Sequence, residues 1–283
     1  MEKSVILLSS GSSFLAKKGV ANAKGNAEIF LSHILNCPRI ELYLDNLAVE
    51  ERESRHFWDL LTKRARGVPL QYLVGSTEFM GLEFKISPGV FIPRPETEIL
   101  VEAVLGLQLT VYSLQPKILD IGTGCGNIAI SIARSLRSAR FFACDISDSA
   151  LQLTKENCSL NKVRICLLQS NLFSAFKKKG FFSLIVSNPP YVNTQEIPGL
   201  IREIHHEPKL ALDGGRDGLF YYRKIINQAP VYLEDRGLLV LEIGDNQKPL
   251  VQEIFAQSER LSLIKTVRDY NDVERVVIAQ KTG

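Results

Sequence analysis

Four consecutive residues, Asn188-Pro189-Pro190-Tyr191, follow the apolar run Phe181 to Val186 and therefore lie where a predicted buried strand ends. The two prolines fix the backbone and remove two N–H donors, which leaves nearby carbonyl groups, including that of Pro189, able to face a ligand. The side-chain carbonyl of Asn188 supplies a second acceptor, and the ring of Tyr191 supplies a flat apolar surface. This combination suits a planar NH2 group, whose two hydrogens need two acceptors. The plainer interpretation is a turn that ends a strand, because Asn-Pro opens many turns.

A glycine-rich segment, Asp120-Ile121-Gly122-Thr123-Gly124-Cys125-Gly126, follows the first strand predicted after Pro116 and opens a helix. Its alternate glycines let the backbone approach a ligand closely, and the helix N-terminus behind them favours electronegative groups. Asp145 ends the second predicted strand, 19 positions after Gly126 (145 minus 126), where a carboxylate can accept both hydroxyls of a ribose. Segment and acid together predict an adenosine-containing cofactor, either NAD or S-adenosylmethionine.

The Asn188 to Tyr191 tetrad decides between these two cofactors. It lies at the tip of the fourth predicted strand, and in an open α/β sheet the carboxyl ends of parallel strands face one crevice. NAD chemistry would need a proton donor near a carbonyl group, and this loop offers none. A methyl donor needs only a nucleophilic nitrogen held in line with its sulfonium. The sequence therefore favours methyl transfer to an NH2 group.

The elements that must position these residues alternate between strands and helices, which predicts a mostly parallel, doubly wound sheet. Seven apolar runs predict the strands: Lys117 to Ile121, Arg140 to Cys144, Val163 to Leu168, Phe181 to Val186, Gly237 to Ile243, Leu261 to Val267 and Glu274 to Ala279. Four stretches predict helices: Asn127 to Arg137, Ser147 to Asn157, Gly218 to Leu233 and Gln247 to Ala256. The last two strands have no room for a helix between them. We expect them to form an antiparallel hairpin at the sheet edge, with a turn at Asn271-Asp272.

The first part of the chain carries a different pattern. Up to about residue 75, apolar residues recur at helical spacing, as in Ala27, Phe30, Leu31, Ile34 and Leu35, and again in Phe57, Leu60, Leu61 and Ala65. Such stripes must be buried against one another, which predicts a small helical bundle. After Ser76 the period changes to the alternation of a β-hairpin. Bundles of this size more often position a partner than perform chemistry.

Composition narrows the class of protein. The chain has 283 residues, 45% of them hydrophobic and 23% charged, with a net charge of +3, which indicates neither disorder nor a strongly basic surface for nucleic acid. Its five cysteines include no Cys-x-x-Cys pair, so disulfides and structural zinc are not expected and a reducing cytosol is favoured. No apolar run is long enough for a signal peptide or a membrane span. We therefore expect a cytoplasmic protein without a membrane partner.

Several strings of residues resemble the HemK/PrmC family, the protein-(glutamine-N5) methyltransferases of peptide chain release factors, over nearly the whole chain. The most specific string is Pro93-Arg94-Pro95-Glu96-Thr97-Glu98, because many methyltransferases share the glycine segment and the tetrad. The further matching strings are Gly67 to Tyr72 through Gly75, Phe79-Met80-Gly81, Gly89 to Ile92, Ser187 to Tyr191, Glu207-Pro208 with Ala211-Leu212, Gly215 with Asp217-Gly218-Leu219, and Leu241 to Gly244.

The resemblance implies a Rossmann-like, seven-stranded S-adenosylmethionine-dependent methyltransferase domain after a small N-terminal helical bundle and a β-hairpin linker. We expect residues 1–75 to form a helical substrate-docking domain, residues 76–92 the linker, and residues 93–283 the methyltransferase domain. The implied reaction transfers a methyl group to N5 of the glutamine in the GGQ motif of release factors, with S-adenosylhomocysteine as product and no metal. The implied partner is a release factor, with no stable nucleic-acid partner, and the enzyme is expected to be a monomer.

The same resemblance assigns roles to residues of this chain. Gly122, Thr123, Gly124, Cys125 and Gly126 would wrap the methionine part of the cofactor, Asp145 would hold the ribose, and Asn171 and Leu172 would lie by the adenine. Asn188 would contact both cofactor and substrate glutamine, Pro189, Pro190 and Tyr191 would complete the substrate pocket, and Phe91, Arg94, Glu96 and Thr97 would roof it.

Two positions depart from the family pattern. The family more often has Asp where this chain has Asn171, and an aromatic residue can follow where it has Leu172; an Asn carbonyl can still accept a hydrogen bond from adenine, but without charge assistance. A glycine is usual at Asp272, but Asp tolerates positive φ better than most residues, so we expect the turn to survive.

Asn188 and Pro189 are the predicted catalytic residues. The Asn188 side-chain oxygen and the Pro189 carbonyl would accept hydrogen bonds from the two N–H groups of the substrate amide and so direct its nitrogen at the methyl carbon.

Two other functions use the same residues. One is methylation of exocyclic amines, adenine N6 or guanine N2, in nucleic acid, for which a basic groove would be needed. The other is a non-enzymatic module that binds cofactor and recruits release factors.

Overall fold

The computed structural model describes residues 2–107 and 115–282, which divide into two compact units. The first unit comprises Met1–Ser76 together with Ile201–His206. The second comprises Thr77–Leu200 and Glu207–Gly283. The chain therefore leaves the second unit once, for a short excursion, which nothing in the sequence pattern indicates.

The first unit is helical, as its apolar stripes predict. Its elements are β1 (Glu2–Lys3), α1 (Ser4–Lys17), α2 (Ala23–Leu35), α3 (Glu41–Leu44), β2 (Ala48–Val49), α4 (Glu51–Ala65) and α5 (Leu70–Val74). Strands β1 and β2 form a short antiparallel pair. Phe30 and Leu31 from α2 and Phe57 and Leu61 from α4 are fully buried in one core with residues of α1. The stripes read from the sequence are thus the buried faces of these helices.

Arg64, near the end of α4, is the most buried cation of this unit and joins two distant parts of the chain. Its Nε donates to the Asn26 side-chain oxygen at 2.8 Å, and its guanidinium pairs with Glu203 of the short excursion at 2.9 Å. The side chain of Arg64 is 9% exposed and that of Glu203 is 32% exposed. The segment 201–206 is therefore held to the helical unit by a largely desolvated ion pair.

We expect Arg64→Ala to lower the free energy of unfolding by about 2 kcal/mol, because Asn26 loses its buried hydrogen-bond partner while the exposed part of Glu203 can be rehydrated. Chemical denaturation followed by circular dichroism measures this loss. The matched control is Arg55→Ala in the same helix, whose pair with Glu51 leaves side chains 74% and 86% exposed. Such exposed pairs contribute about 0–1 kcal/mol, so equal losses in the two variants would contradict the role given to Arg64.

The predicted hairpin is present as β3 (Ser76–Phe79) and β4 (Leu82–Lys85), joined by a turn at Met80 and Gly81, both at positive φ. The buried side chain of Asn157 fixes it to the second unit. Asn157 accepts from the Lys85 backbone N–H at 2.7 Å and donates to the carbonyl oxygens of Lys85 and Cys125 at 3.1 and 2.9 Å. The hairpin is therefore a stiff part of that unit, bound to the helix that carries Asn157.

The second unit contains the predicted alternation of strands and helices. Its strands are β5 (Lys117–Ile121), β6 (Arg140–Asp145), β7 (Ile165–Gln169), β8 (Phe182–Ser187), β9 (Leu233–Glu242), β10 (Leu261–Arg268) and β11 (Glu274–Lys281). Its helices are α6 (Glu98–Leu105), α7 (Asn127–Ser135), α8 (Asp148–Leu160), α9 (Phe220–Tyr232) and α10 (Lys248–Ala256), with short 3-10 turns at Pro95–Thr97, Ile197–Gly199, Ile204–His206 (first unit) and Lys209–Ala211.

These strands form one sheet in the order β10-β11-β9-β8-β5-β6-β7, in which β11 is antiparallel to both of its neighbours, β10 and β9, and the other pairs are parallel. The predicted fold class and the terminal hairpin are confirmed. Asp272 has φ of 62°, and its N–H donates to the carbonyl of Asp269 at 3.0 Å, so the turn tolerates Asp where the family usually has glycine.

Most predicted strand boundaries lie within two residues of the observed ones, but one strand start is wrong by four. The strand expected from Gly237 begins at Leu233, which pairs with Phe182, and then continues after an irregularity at residues 234–237. Arg236 lies there at positive φ, 61°. Polar residues in this irregularity interrupt the apolar run, so the periodicity hides the true start of the strand.

Alternate residues of the sheet enter two separate cores. Leu119, Ile185 and Leu241 pack on one face with the buried residues of α9 and α10, whereas Ile118 and Leu184 pack on the other face with those of α6 and α7. Helices thus cover both faces, as expected for parallel strands. The carboxyl ends of the parallel strands β5 to β9 lie together along one edge of this sheet.

Candidate active site

The tetrad lies directly after β8, at the carboxyl end of the sheet, and its backbone is firmly held. The hydroxyl of Ser187 donates to the carbonyl oxygen of Ile121 at 2.7 Å, and the side-chain amide of Gln247 donates to that of Tyr191 at 2.9 Å. A Cβ atom at Gly214 would lie 2.7 Å from the Tyr191 Cα atom, and one at Gly218 would lie 2.5 Å from its carbonyl oxygen. The glycines of the 214–218 segment therefore allow the chain to pass against the tetrad.

Both predicted acceptors of the tetrad are available to a ligand. The Nδ2 atom of Asn188 donates to the Oγ1 atom of Thr97 at 3.1 Å, which directs the amide nitrogen inward. Among the described residues, none donates a hydrogen bond to the Asn188 side-chain oxygen or to the Pro189 carbonyl. Burial raises the pKa of Tyr191 to about 12, so its phenol is neutral at physiological pH. The tetrad thus offers two acceptors beside a neutral aromatic ring.

The glycine-rich segment turns back between β5 and α7 with its backbone open. Gly122 and Gly124 have φ of 72° and 58°, and no atom lies within 4 Å of a Cβ built on either residue. The side chains of Thr123 and Cys125 are buried, and burial raises the pKa of the Cys125 thiol to about 12. The segment therefore presents backbone rather than reactive side chains, and it leaves room for a ligand to approach closely.

Asp145, the last residue of β6, is half-buried beside this segment. One carboxylate oxygen accepts from the Gly124 N–H at 2.9 Å, and the other accepts from the Ser147 N–H at 2.9 Å. Each oxygen keeps a further lone pair for a hydroxyl donor. Asp145 thus both shapes the glycine turn and can receive a diol.

Asn171 and Leu172 lie just after β7, the strand at one edge of the sheet. Leu172 has φ of 52°, and its carbonyl accepts from the hydroxyl of Ser170 at 2.7 Å and from the Cys144 thiol at 3.5 Å. The side chain of Asn171 is exposed. These contacts fix the turn and leave the Asn171 amide available to a ligand.

The segment before α6 is anchored by a buried carboxylate. Glu207 forms an ion pair with Arg94 and accepts from the Ile92 N–H at 3.1 Å. The Arg94 guanidinium also lies over the ring of Phe91, 4.8 Å from its centroid. Thr97 is buried, and its hydroxyl accepts from Asn188. The specific string of the sequence therefore contains a side chain that holds the tetrad.

Comparison with known proteins covers both units. Residues 7–75 match the family model described as the PrmC N-terminal domain, and residues 82–216 match the one described as the methyltransferase small domain. The release factor glutamine methyltransferase of Thermodesulfovibrio yellowstonii is 40% identical over 258 residues, 90% of this chain and 92% of that protein. The same enzyme of Fusobacterium nucleatum subsp. nucleatum is 38% identical over 284 residues, 99% of this chain and 79% of that protein.

The chain belongs to the family of release factor glutamine methyltransferases. The resemblance read from the motifs is thereby confirmed. A solved methyltransferase from Pyrococcus furiosus, 18% identical, aligns with a TM-score of 0.51 over 72% of this chain and 90% of that one, which agrees in fold. Within residues 2–107 and 115–282, no helix has the length and apolar character to cross a bilayer, and no three metal-ligating side chains lie together.

The structure of this family member brings together Gly122, Asp145 and Asn188, which the sequence assigns to one crevice, because the ends of β5, β6 and β8 are adjacent. It also reveals two buried acids that the sequence analysis gave no role. Burial raises the pKa of Asp120 to about 7, and burial also raises that of Glu242 to about 7. A signal existed for both, since each is a lone carboxylate within or at the end of an apolar strand.

Proposed function

We propose that this protein transfers a methyl group from S-adenosylmethionine to the side-chain nitrogen of the GGQ glutamine in peptide chain release factors. The observation that carries the proposal is the pair of unused acceptors, on Asn188 and Pro189, at the tip of β8 beside an open glycine turn. The relatives that span the chain support the same substrate. They do not favour the alternative of nucleic-acid amine methylation.

The residues at the strand tips fit S-adenosylmethionine. The open backbone of Gly122 and Gly124 leaves space for its methionine part, Asp145 can accept from its ribose, and Asn171 and Leu172 can flank its adenine. The buried Oδ1 atom of Asp120 has no hydrogen-bond partner among the described residues, so the residue that precedes the glycine turn offers a further acceptor. When bound, S-adenosylmethionine supplies an electrophilic methyl group on its sulfonium.

Asn188 and Pro189 do the orienting. An amide nitrogen is a poor nucleophile because its lone pair is delocalised, and full loss of that conjugation costs about 18–20 kcal/mol. When Asn188 and Pro189 accept hydrogen bonds from both N–H groups of the substrate amide, they raise the electron density on its nitrogen and fix the direction in which it faces. Alignment in a closed pocket can contribute roughly 7–11 kcal/mol of the remainder. Pro190 and Tyr191 supply the apolar walls of that pocket.

No separate general base is required by this chemistry. A protonated, alkylated amide is strongly acidic and loses its proton to water. This agrees with the tetrad, which holds no His or Lys, and with the neutral Tyr191 phenol. The proposed reaction likewise needs no metal ion.

Release factors act on the ribosome, so the proposal places the enzyme in the cytoplasm. We further propose that it works as a monomer, with no membrane and no stable nucleic-acid partner. The five cysteines are free, which agrees with a reducing compartment.

The test is transfer of radiolabelled methyl groups from S-adenosylmethionine to purified release factor, with transfer RNA, ribosomal RNA and DNA as parallel acceptors. We expect label in release factor alone. Label in nucleic acid but not in release factor would overturn the proposal, and cofactor binding without any transfer would support the non-enzymatic module.

The first unit is proposed to dock the release factor. Its described residues include no group of three metal-ligating side chains, and a glutamine side chain alone offers too few atoms for specific capture. Exposed apolar side chains on and beside α3, Ile40 and Leu44, are 60% and 74% exposed and give it a surface for a protein partner.

We expect a chain that starts near Ser76 to methylate intact release factor with kcat/KM reduced roughly tenfold or more, mainly through a raised KM. Steady-state kinetics measure this. The control is a short peptide with the GGQ glutamine, whose slow methylation should change little. The truncated chain keeps Glu203 but lacks its partner Arg64. Its cofactor affinity is therefore measured as a check that the remaining chain is folded. Equal kcat/KM values for both chains on intact release factor would leave the helical unit as a stability element.

A further inference from the structure

Glu242 is the immediate neighbour of Asn188 at the carboxyl end of the sheet. The parallel register pairs Ser187 of β8 with Leu241 of β9. The residues that follow them, Asn188 and Glu242, therefore lie side by side. Glu242 is fixed by its pairing with Val276 and by the hydroxyl of Tyr222, which donates to its carbonyl at 3.2 Å. The backbone of Glu242 is therefore fixed beside the tetrad, and the residue is buried, with 1% of its surface exposed.

Three polar side chains lie together at this point: Thr97 and Glu242, which are buried, and Asn188, which is half-buried. Asn188 donates to the hydroxyl of Thr97 at 3.1 Å, and the polar side chains of both residues lie beside the carboxylate of Glu242, where they oppose the rise of its pKa that burial causes. An ionised carboxylate can only accept, so it can face the NH2 end of the Asn188 amide but not its oxygen. The carboxylate thus distinguishes the two ends of an otherwise nearly symmetrical side chain.

One oxygen of Glu242, Oε2, has no hydrogen-bond partner among the described residues, although the side chain is buried. Such a group is costly to bury, which indicates a use beyond packing. The charged and titratable groups around the carboxylate are Arg275 from β11, Glu96 from the turn before α6, Tyr191, and Tyr222 from α9. Arg275 is itself paired with Asp269 at 3.1 Å, so it only partly compensates Glu242.

We infer that Glu242 is a positioning residue which, together with Thr97, holds the Asn188 amide with its NH2 group inward and its oxygen toward the substrate. The reversed amide would present N–H groups to the N–H groups of the substrate and could not bind it. This inference rests on the proposed function, and it assigns Glu242 no contact with substrate.

The unpartnered oxygen makes Glu242→Gln a sharp test. In the productive arrangement the new amide must accept from Asn188, which places its NH2 group where no acceptor exists. In the reversed arrangement that NH2 group donates to the Asn188 oxygen, and the unpartnered position is filled by an oxygen, as in the natural chain. The substitution therefore favours the unproductive state, and we expect kcat on release factor to fall at least about tenfold.

A purely structural role predicts a different outcome for the same variant. Because burial raises the pKa of Glu242 to about 7 in the folded protein, its ionisation opposes folding at higher pH. Above that pKa, Glu242→Gln should unfold at the same or a higher temperature while losing activity. A loss of kcat that merely follows a lowered unfolding temperature would overturn the inference.

Thr97 supplies a matched pair of variants. Thr97→Val keeps the shape but removes the hydroxyl, whereas Thr97→Ser keeps the hydroxyl. We expect Thr97→Val to lower kcat and Thr97→Ser to restore most of it. Combined with Glu242→Gln, Thr97→Val should cost less than the two separate losses together, since both act through Asn188. Full additivity, or equal kcat in Val and Ser variants, would contradict a shared role.

A readout without substrate is the nitrogen-15 spectrum of the Asn188 side-chain NH2 group, identified by its loss in Asn188→Ala. Its chemical shift should titrate with pH in the natural chain, because Glu242 changes charge beside it, and this titration should vanish in Glu242→Gln. Asp120 titrates in the same pH range, since burial raises its pKa to about 7, so the diagnostic is the difference between the two proteins. An identical titration in both would overturn the inference.

The two levels of the account fail separately. If the natural chain methylates release factor and Glu242→Gln does so with the same kcat, the inference is wrong and the proposed function stands. If the natural chain transfers no methyl group to release factor, the proposed function is wrong, and the inference falls with it.

Discussion

Replacement of Asn188 by alanine is expected to lower kcat for release factor methylation by about a hundredfold or more. The variant loses one of the two acceptors that hold the amide nitrogen, and removal of one such contact to a reacting group typically costs about a hundred- to a thousandfold. Most cofactor affinity should remain, because the glycine turn and Asp145 are untouched. Steady-state kinetics at saturating cofactor measure the loss of kcat.

The matched control is Asn271→Ala, an exposed asparagine in the turn between β10 and β11. It should leave kcat near the natural value. If Asn188→Ala also stayed within a few-fold of it, Asn188 could not be the residue that orients the substrate amide.

Replacement of Asp145 by alanine is expected to weaken S-adenosylmethionine binding by roughly ten- to a hundredfold. Hydrogen bonds to a charged group contribute about 1.5–3 kcal/mol, and two ribose hydroxyls lose their acceptor. Asp145 also accepts from Gly124 and Ser147, so the glycine turn loses a support as well. Isothermal titration calorimetry gives the dissociation constant directly.

Asp148→Ala is the control for this variant, since Asp148 is an exposed acid three residues further on, in the first turn of α8. It removes the same charge from the same region without touching the turn. A dissociation constant unchanged by Asp145→Ala, or changed equally by both variants, would show that Asp145 does not hold the ribose.

Those parts of the fold that follow from periodicity are predicted well by the sequence. Lys117 to Ile121 begins and ends as predicted, and Asp145, Asn188 and the glycine turn meet because parallel strands end at one edge. Asp272 occupies positive φ as expected. Each of these features depends on local residue types and one general rule of sheet geometry.

Features that depend on distant pairing were not predictable. Glu203 meets Arg64 across 139 positions and Glu207 meets Arg94 across 113, and neither pair leaves a pattern in the sequence between them. The contacts of Thr97 and Glu242 with Asn188 were predictable only in part. Glu242 stands out as an acid at the end of an apolar run, but its place beside Asn188 follows only once β9 is known to neighbour β8.

The most direct test of the central claim is to locate the transferred methyl group. Release factor is incubated with the enzyme and deuteromethyl-labelled S-adenosylmethionine, and its peptides are sequenced by tandem mass spectrometry. The account predicts one labelled methyl group on the side-chain nitrogen of the GGQ glutamine, none when that glutamine is replaced by alanine, and labelling slowed about a hundredfold or more with Asn188→Ala. A methyl group on any other atom of the release factor, or label that survives loss of the glutamine, would contradict it.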